Sequence, residues 1–380
     1  MKLLSLKQLR RFVLTVVKMN IVLKSLKYCL GLFAFAILLS SCMHPSQEVA
    51  PQEPSAIGDQ NLKLERFEYA EPHMGVIFSI VLYHENETLA NQAAEAAFAR
   101  IAKLNKILSD YDPDSELNHF VSAPAGSEIP LSDELFEVLW ISKELAQETR
   151  GAFDPTLGPL TQLWRTTRKL QQLPSPEVIA EAQSRCGYKK LILNKRRQSG
   201  ILRQTGMQLD LGGIGKGFAS DCALETLKEH GVESALVAAS GDIAVSAPPP
   251  GKEGWRIQIE TLTESNEDPD AGTYVIFLKN AAISTSGDVN QFVVIDGKRY
   301  SHIVDPKTGL GLTHRVGTTV IHSRATYSDA LGTIICLLGE TKGIDFLRKY
   351  PGTQARIGYL DAENKKHYIA TPLFPEPIKD

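Results

Sequence analysis

The segment Leu209–Asp221, LDLGGIGKGFASD, places a carboxylate beside paired glycines and a lysine between two more, and it leads straight into helical sequence. Glycines let backbone N–H groups approach a ligand closely, and a helix N-terminus favours negative charge, so this loop could hold a phosphate. The same residues could form a strand–turn–helix joint whose glycines only make the turn. Neither familiar phosphate loop fits. A Walker A loop needs a glycine where Asp210 stands and a Ser or Thr where Gly217 stands. Glycines at 212, 213, 215 and 217 also cannot be set to the G-x-G-x-x-G spacing of a dinucleotide fold.

Three other segments carry reactive side chains. Ser284-Thr285-Ser286-Gly287-Asp288 follows an apolar strand with three hydroxyls and a carboxylate, and reads either as a capped turn or as part of a site. His302 stands just before an Asp305-Pro306 turn. A histidine is the natural proton acceptor for a hydroxyl nucleophile near neutral pH, so His302 is the first candidate base and Asp288 the second. Asp329 and Thr333 are four apart on a predicted helix and share a face. A carboxylate and a hydroxyl so placed suit an oxygen-only shell around Mg²⁺, or else an aspartate at a helix N-terminus and a threonine in the core.

These residues must be positioned by an α+β framework. Strand patterns span 62–82, broken by Met74-Gly75, and Leu89 to Leu108 shows helical spacing with Phe98, Ile101, Leu104 and Leu108 on one face. The acidic stretch 108–118 lacks the glycine and terminal glutamate of an EF-hand, and most of its acids are expected to be solvated. Ser132 is placed to cap a second helix that stops at Gly151. The segment Gly151 to Trp164, GAFDPTLGPLTQLW, reads as a loop lining a pocket. A short helix over 174–184 and a hairpin from 191–193 and 200–202 lead to the glycine-rich segment, and the helix after it stops at Gly231. Strands follow at 235–239, 255–259, 274–278, 292–295 with a turn at Asp296-Gly297, and 318–322. Ser328 is placed to cap a helix ending at Gly339, and a helix over 343–349 with strands at 356–360 and 367–370 closes the chain. Antiparallel-looking strands separated by blocks of helices favour a single α+β domain over a βαβ wind.

With 380 residues and a formal net charge of −3, the chain has room for a substantial core and shows no basic block that would mark a nucleic-acid partner. Lys24 and Lys27 precede an apolar run from Tyr28 to Leu39, followed by Leu39-Ser40-Ser41-Cys42. These are the parts of an export signal over residues 1–41, with Met19 as an alternative start. Residues 42–60, rich in Pro, Ser, Gln and Glu, read as a flexible tether, and the catalytic domain spans 61–376. Cys186, Cys222 and Cys336 make no disulfide framework, and Cys222 and Cys336 lie on apolar helix faces as buried thiols.

The Leu-Ser-Ser-Cys ending resembles the lipobox of bacterial lipoproteins, which implies a lipid on Cys42 and a periplasm-facing membrane anchor; Met43 in place of an aspartate points to the outer rather than the inner membrane. Taken together, Met74-Gly75, the Ser109-Asp110-Tyr111 loop with Ser115-Glu116 and Asn118, Gly151 to Thr156, LDLGGIGKG, Thr285 to Asp288, His302 to Gly309, and Asp329-Ala330-Leu331 with Thr333 resemble the FAD:protein FMN transferase (ApbE) family. The resemblance implies a single T-fold-like α+β domain with mostly antiparallel sheets and flanking helices. It implies that FAD contacts Met74, Tyr111, Ala152, Phe153, Asp154, Asp210, Lys216 and Ile303, and that Mg²⁺ is held by Asp329, Thr333 and a backbone oxygen near Gly213. The implied reaction moves FMN from FAD to a Ser or Thr hydroxyl of a partner flavoprotein such as a redox-pump subunit, releasing AMP. Lys216 is the cation that would offset pyrophosphate charge. Hydrolysis of FAD to FMN and AMP, or flavin binding without catalysis, are the alternatives. Val76, Ser240, Gly215 and Gly332 depart from common family residues, and none of these changes removes a charged group.

Overall fold

The computed structural model describes residues 63–259, 262, 274–288 and 291–378. The export signal, the Met19 start, Cys42 and the tether to residue 60 lie outside the described residues. Strands β1 (Glu65–His73) and β2 (Val76–His84) pair antiparallel in register from Glu65↔His84 to His73↔Val76. Met74 and Gly75 at the tip have φ of 48° and 75°, so both central residues of this two-residue turn are left-handed, the geometry that matches strand twist. Asn86 then caps α1 (Glu87–Leu108) by accepting from the Leu89 N–H at 3.0 Å.

Between α1 and the glycine-rich segment lies a block of short elements. It comprises α2 (Glu116–Ser122), β3 (Ile129–Pro130), α3 (Asp133–Glu148), α4 (Gly158–Leu170), α5 (Pro176–Ser184), β4 (Leu191–Asn194) and β5 (Ser199–Leu202). Ser132 caps α3 as expected, and Gly151 ends that region with φ +83°. The segment read as a pocket-lining loop is a loop only to Leu157. Pro159 occupies the first turn of α4, where its missing N–H costs nothing, and Leu160 and Trp164, four apart, are buried. Turn residues in a row concealed a helix start.

The second half supplies α6 (Gly215–Glu229), β6 (Ser234–Ala239), β7 (Asp242–Val245), β8 (Trp255–Ile259), β9 (Tyr274–Leu278), β10 (Ala281–Gly287), β11 (Phe292–Ile295), β12 (Lys298–Ser301) and β13 (Val316–His322). It closes with α7 (Ala325–Leu338), α8 (Glu340–Leu347), β14 (Gln354–Leu360) and β15 (Lys366–Ala370). Eight strands form one sheet in the order β1-β2-β6-β7-β10-β13-β14-β15, antiparallel throughout. The described residues fold as one compact unit.

Alternation along the strands divides the sheet's two faces. Phe78, Ile80 and Leu82 of β2, with Val320 of β13, join the main core beneath α1, α6 and α7. Val81 and Ile321, one residue out of phase, join a second core under the β8–β9 hairpin. A third, satellite core joins Leu160 and Trp164 of α4 to Val293, Ile295 and Tyr300 of the β11–β12 hairpin. Within it the Trp164 indole N–H donates to the Ser301 carbonyl at 2.9 Å, pinning the backbone immediately before His302.

Ser328 does not cap the last long helix. That helix starts at Ala325, and the Asp221 side chain on α6 accepts from the N–H groups of Ala325 and Thr326 at 2.7 and 2.9 Å. Ser328 sits inside the helix, buried, with its hydroxyl 2.8 Å from that of Ser284. A cap borrowed from a distant helix leaves no local sequence mark. Cys336 is fully buried, while Cys222 is only half-buried, and both are free thiols along with Cys186. Among the described residues no helix is long and apolar enough to cross a membrane.

Candidate active site

One end of the large sheet gathers the reactive segments. β6 runs into the Ser240–Gly241 turn at the level of the Met74–Gly75 tip, since Phe78 pairs with Ala239. Asp242 opposes Ser284, and Thr285 to Gly287 continue past it along β13. Against this edge stands the first turn of α6. Its Lys216 ammonium lies 2.6 Å from an Asp242 oxygen and 3.7 Å from an Asp329 oxygen. The same Asp329 oxygen accepts the Gly217 N–H at 3.0 Å, so the carboxylate serves the N-terminus of α6, not that of its own helix.

This centre is short of positive charge. Asp242 and Asp329 are both buried, with one ammonium between them. Burial and the neighbouring Asp242 push the Asp329 carboxyl upward, with Lys216 and the Gly217 N–H pulling the other way. Burial acts against the charge on Lys216, but Asp329 and Asp242 outweigh it and hold the ammonium well above its ordinary range. Thr333, one turn beyond Asp329, points at Gly213: a side-chain carbon on Gly213 would lie 3.3 Å from the Thr333 hydroxyl and 3.4 Å from the Phe153 ring. Gly213, Thr333 and Phe153 therefore meet at one point.

A second cluster lies along the same loop. Arg165 of α4 donates to Asp110 at 2.5 Å and to Asp210 at 3.1 Å, and its guanidinium lies 4.2 Å from the centroid of the Tyr111 ring. Asp210 also accepts the Gly212 N–H at 2.7 Å, which fixes the glycine turn. Tyr111 is 75 % exposed, so a cation backs one face of its ring and solvent meets the rest. Asp110 belongs to the stretch expected to be solvated. It is instead tied to Arg165, and burial and Asp210 raise its carboxyl despite that partner.

His302 sits on the loop that Trp164 anchors. Its Nδ1 lies 3.2 Å from the Gln291 carbonyl, which can only accept, so Nδ1 carries the hydrogen and Nε2 is the atom able to take a proton. Burial, helped by Arg168 and Lys216, lowers its pKa to about 4. In the ligand-free protein an NMR titration should therefore find this imidazole neutral until near pH 4; a midpoint near 6.5 would contradict the geometry. Because the folded value lies below the unfolded one, this group withdraws stability as pH falls from about 6.5 toward 4. Asp288 is placed differently. One of its oxygens lies 2.7 Å from Arg299 and 2.8 Å from Arg315, so two guanidiniums already occupy the atom that would have to take a proton. That pairing argues against a role as proton acceptor.

Other expected contacts divide between site and scaffold. Asp154 accepts from the Thr156 N–H and hydroxyl and from the Tyr188 N–H at 2.6 to 2.8 Å, so its side chain is committed to shaping the turn. The Pro155 carbonyl takes the Asp210 N–H at 2.9 Å, which joins the Ala152–Thr156 segment to the glycine-rich loop. Ile303 is buried, and Met74 packs against the main core at the hairpin tip. Two participants were not foreseen. Asp242 was visible in Ser240-Gly241-Asp242 but carried no partner in sequence, and Arg165 follows directly on the stretch read as loop.

A sequence model of the ApbE family matches residues 74–357. The chain belongs to the ApbE family. A relative named FAD:protein FMN transferase from Treponema pallidum is 29 % identical over 314 residues, covering 79 % of this chain and 86 % of the relative. The protein of the same name from Escherichia coli K12 is 31 % identical over 252 residues, covering 64 % and 70 %. Among solved structures, the apo flavinyl transferase ApbE of Pseudomonas stutzeri is similar with a TM-score of 0.70 at 28 % identity, covering 81 % of this chain and 95 % of that one. The flavin transferase ApbE of Vibrio cholerae gives 0.71 at 25 % identity, covering 82 % and 98 %. The α+β architecture with mostly antiparallel sheets is thus the ApbE fold.

The donor set of this ApbE chain suits a hard divalent cation. Among the described residues no three His, Cys, Asp or Glu side chains converge as a self-sufficient metal cage. What converges is the Asp329 carboxylate and the Thr333 hydroxyl beside Gly213, with Asp242 as a second buried carboxylate and Lys216 as the one ammonium between the two acids. Oxygen donors few in number, with room for substrate phosphates to complete the shell, are what Mg²⁺ takes.

Proposed function

We propose that the protein transfers FMN from FAD to a Ser or Thr hydroxyl of a partner flavoprotein and releases AMP, with Mg²⁺ held by Asp329, Thr333 and a backbone oxygen near Gly213. The observation that carries this reading is the Asp242–Lys216–Asp329 centre at the N-terminus of α6, with a neutral imidazole close enough for Lys216 to lower its pKa. Bound there, the metal would offset charge on the diphosphate as its bridge breaks. Lys216 adds a fixed cation that Asp242 and Asp329 keep protonated and aimed. The loop held by Arg165 sets Asp210 and Tyr111, and the Tyr111 face offers a flat surface on which a flavin or adenine ring can stack.

The acceptor hydroxyl oxygen forms a bond to the FMN phosphorus, and the bond from that phosphorus to the bridging oxygen breaks. The bridging oxygen leaves with AMP, and the hydroxyl proton passes to Nε2 of His302. An imidazole kept neutral by burial is free to accept it, and the arriving diphosphate, being anionic, raises its basicity when it is needed. We further propose that the chain is lipid-anchored through Cys42 on a periplasm-facing membrane, a reading supported by the Lys24 to Cys42 sequence alone.

The test is to incubate the protein with FAD and Mg²⁺, with and without a threonine-bearing peptide, and to follow AMP and peptide mass. Peptide-bound FMN equal in amount to AMP is expected. AMP with free FMN in both arms would mean hydrolysis, and tight FAD binding without either product would mean a binding protein.

A further inference from the structure

A cavity of about 560 Å³ lies between the last turn of α4 and the β11–β12 hairpin, lined by Arg165, Arg168, Lys169 and Gln171 on one side and by Phe292 to Val294 on the other. It adjoins the proposed proton acceptor. Gln291, whose carbonyl holds His302 Nδ1, immediately precedes Phe292, and Arg168 is among the charges felt at both His302 and Tyr111. The strand side of the groove therefore begins one residue from the carbonyl that holds His302.

Its chemistry is specific. β11 alternates, with Val293 and Ile295 buried in the satellite core and Phe292 and Val294 left 40 % and 50 % exposed on the groove side. Facing them, Arg168 and Lys169 form no ion pair with any described residue, although neighbouring Arg165 is fully engaged by Asp110 and Asp210. Among the described residues β11 pairs with β12 alone. A floor of two apolar side chains beneath two unpaired cations, beside a strand paired on one side, suits an extended peptide better than a nucleotide. The diphosphate already has its cations at Lys216.

We propose that this groove docks an extended, acidic segment of the acceptor protein, with its side chains alternating over Phe292 and Val294, its carboxylates on Arg168 and Lys169, and its hydroxyl presented at His302. This rests on the transferase reading, in that the occupant is taken to be the acceptor. Cationic grooves of this kind choose between partners by charge and lose that choice as salt screens them.

The experiment uses fluorescein-labelled nine-residue peptides with a central threonine flanked by Asp, Asn or Lys, and reads their binding to the full-length, FAD-free protein by anisotropy. The Asp peptide should bind tightest and the Lys peptide weakest, with a spread of about tenfold, consistent with two partly exposed ion pairs. Raising the salt should compress the spread. The double variant Arg168→Glu/Lys169→Glu should invert the order, and Val294→Asp should weaken the Asp peptide. Equal binding of the three peptides, or an order unchanged in the double variant, would overturn the proposal. An unchanged order accompanied by weakened FAD binding would assign the groove to the nucleotide instead. Because binding is read without turnover, a protein that ranks the peptides as stated yet never transfers FMN would sink the transferase reading alone.

Discussion

Replacing Asp329 with asparagine is expected to lower the rate of AMP release by about a thousandfold or more, the scale of losing a charge that acts on the transition state. The substitution keeps an oxygen to accept the Gly217 N–H, so it removes charge and little else. It would leave Lys216 paired with Asp242 alone and strip the proposed metal shell of its carboxylate. Thermal unfolding should move the opposite way. In the metal-free protein Asp329 is a buried carboxylate beside another, sharing one ammonium, and making it neutral relieves that repulsion. A variant that is inactive and at least as stable as the parent fits this account. An active variant, or an inactive one that simply unfolds, does not.

A large loss of stability is expected from Gly217→Ala. A side-chain carbon there would overlap the carbonyl oxygen of Ala325 and lie 2.6 Å from its carbon. Both are backbone atoms, so no rotamer change can make room and α6 must separate from α7. The cost is about 3 kcal/mol or more, at the upper end for overpacking. Function would fall with it, because the same contact sets Lys216 against Asp329. Gly215→Ala is the control: its nearest neighbour would be Leu211 at 4.0 Å, an ordinary contact, so thermal melting should be unchanged or slightly raised. Equal melting temperatures for the two variants would refute the close approach.

Much of the framework was legible because its signals are local. The stops at Gly231 and Gly339 and the Asp296-Gly297 turn all have the positive φ that such residues permit. The 3.6-residue apolar spacing of α1 and the Ser132 cap depend on nothing outside their own segments. What could not be read is what crosses the chain. The cap of α7 comes from Asp221, α4 begins among turn residues, and Arg165 finds Asp110 and Asp210 only after that helix and two loops have come together. The site divides in the same way. Lys216, His302, Asp329 and Thr333 carry groups whose chemistry is visible in isolation, and a resemblance could attach roles to them. Asp242 acquires meaning only from Lys216 at 2.6 Å, and the two arginines that hold Asp288 meet it only in the folded chain.

In the proposed reaction a divalent cation at Asp329 and the ammonium of Lys216 grip the diphosphate of FAD together. Manganese substituted for magnesium makes this visible, because paramagnetic resonance detects phosphorus coupled to the metal. With FAD present, phosphorus couplings should appear in the parent protein and vanish in Asp329→Asn. FAD bound with no phosphorus coupling, or couplings that survive the substitution, would contradict the account.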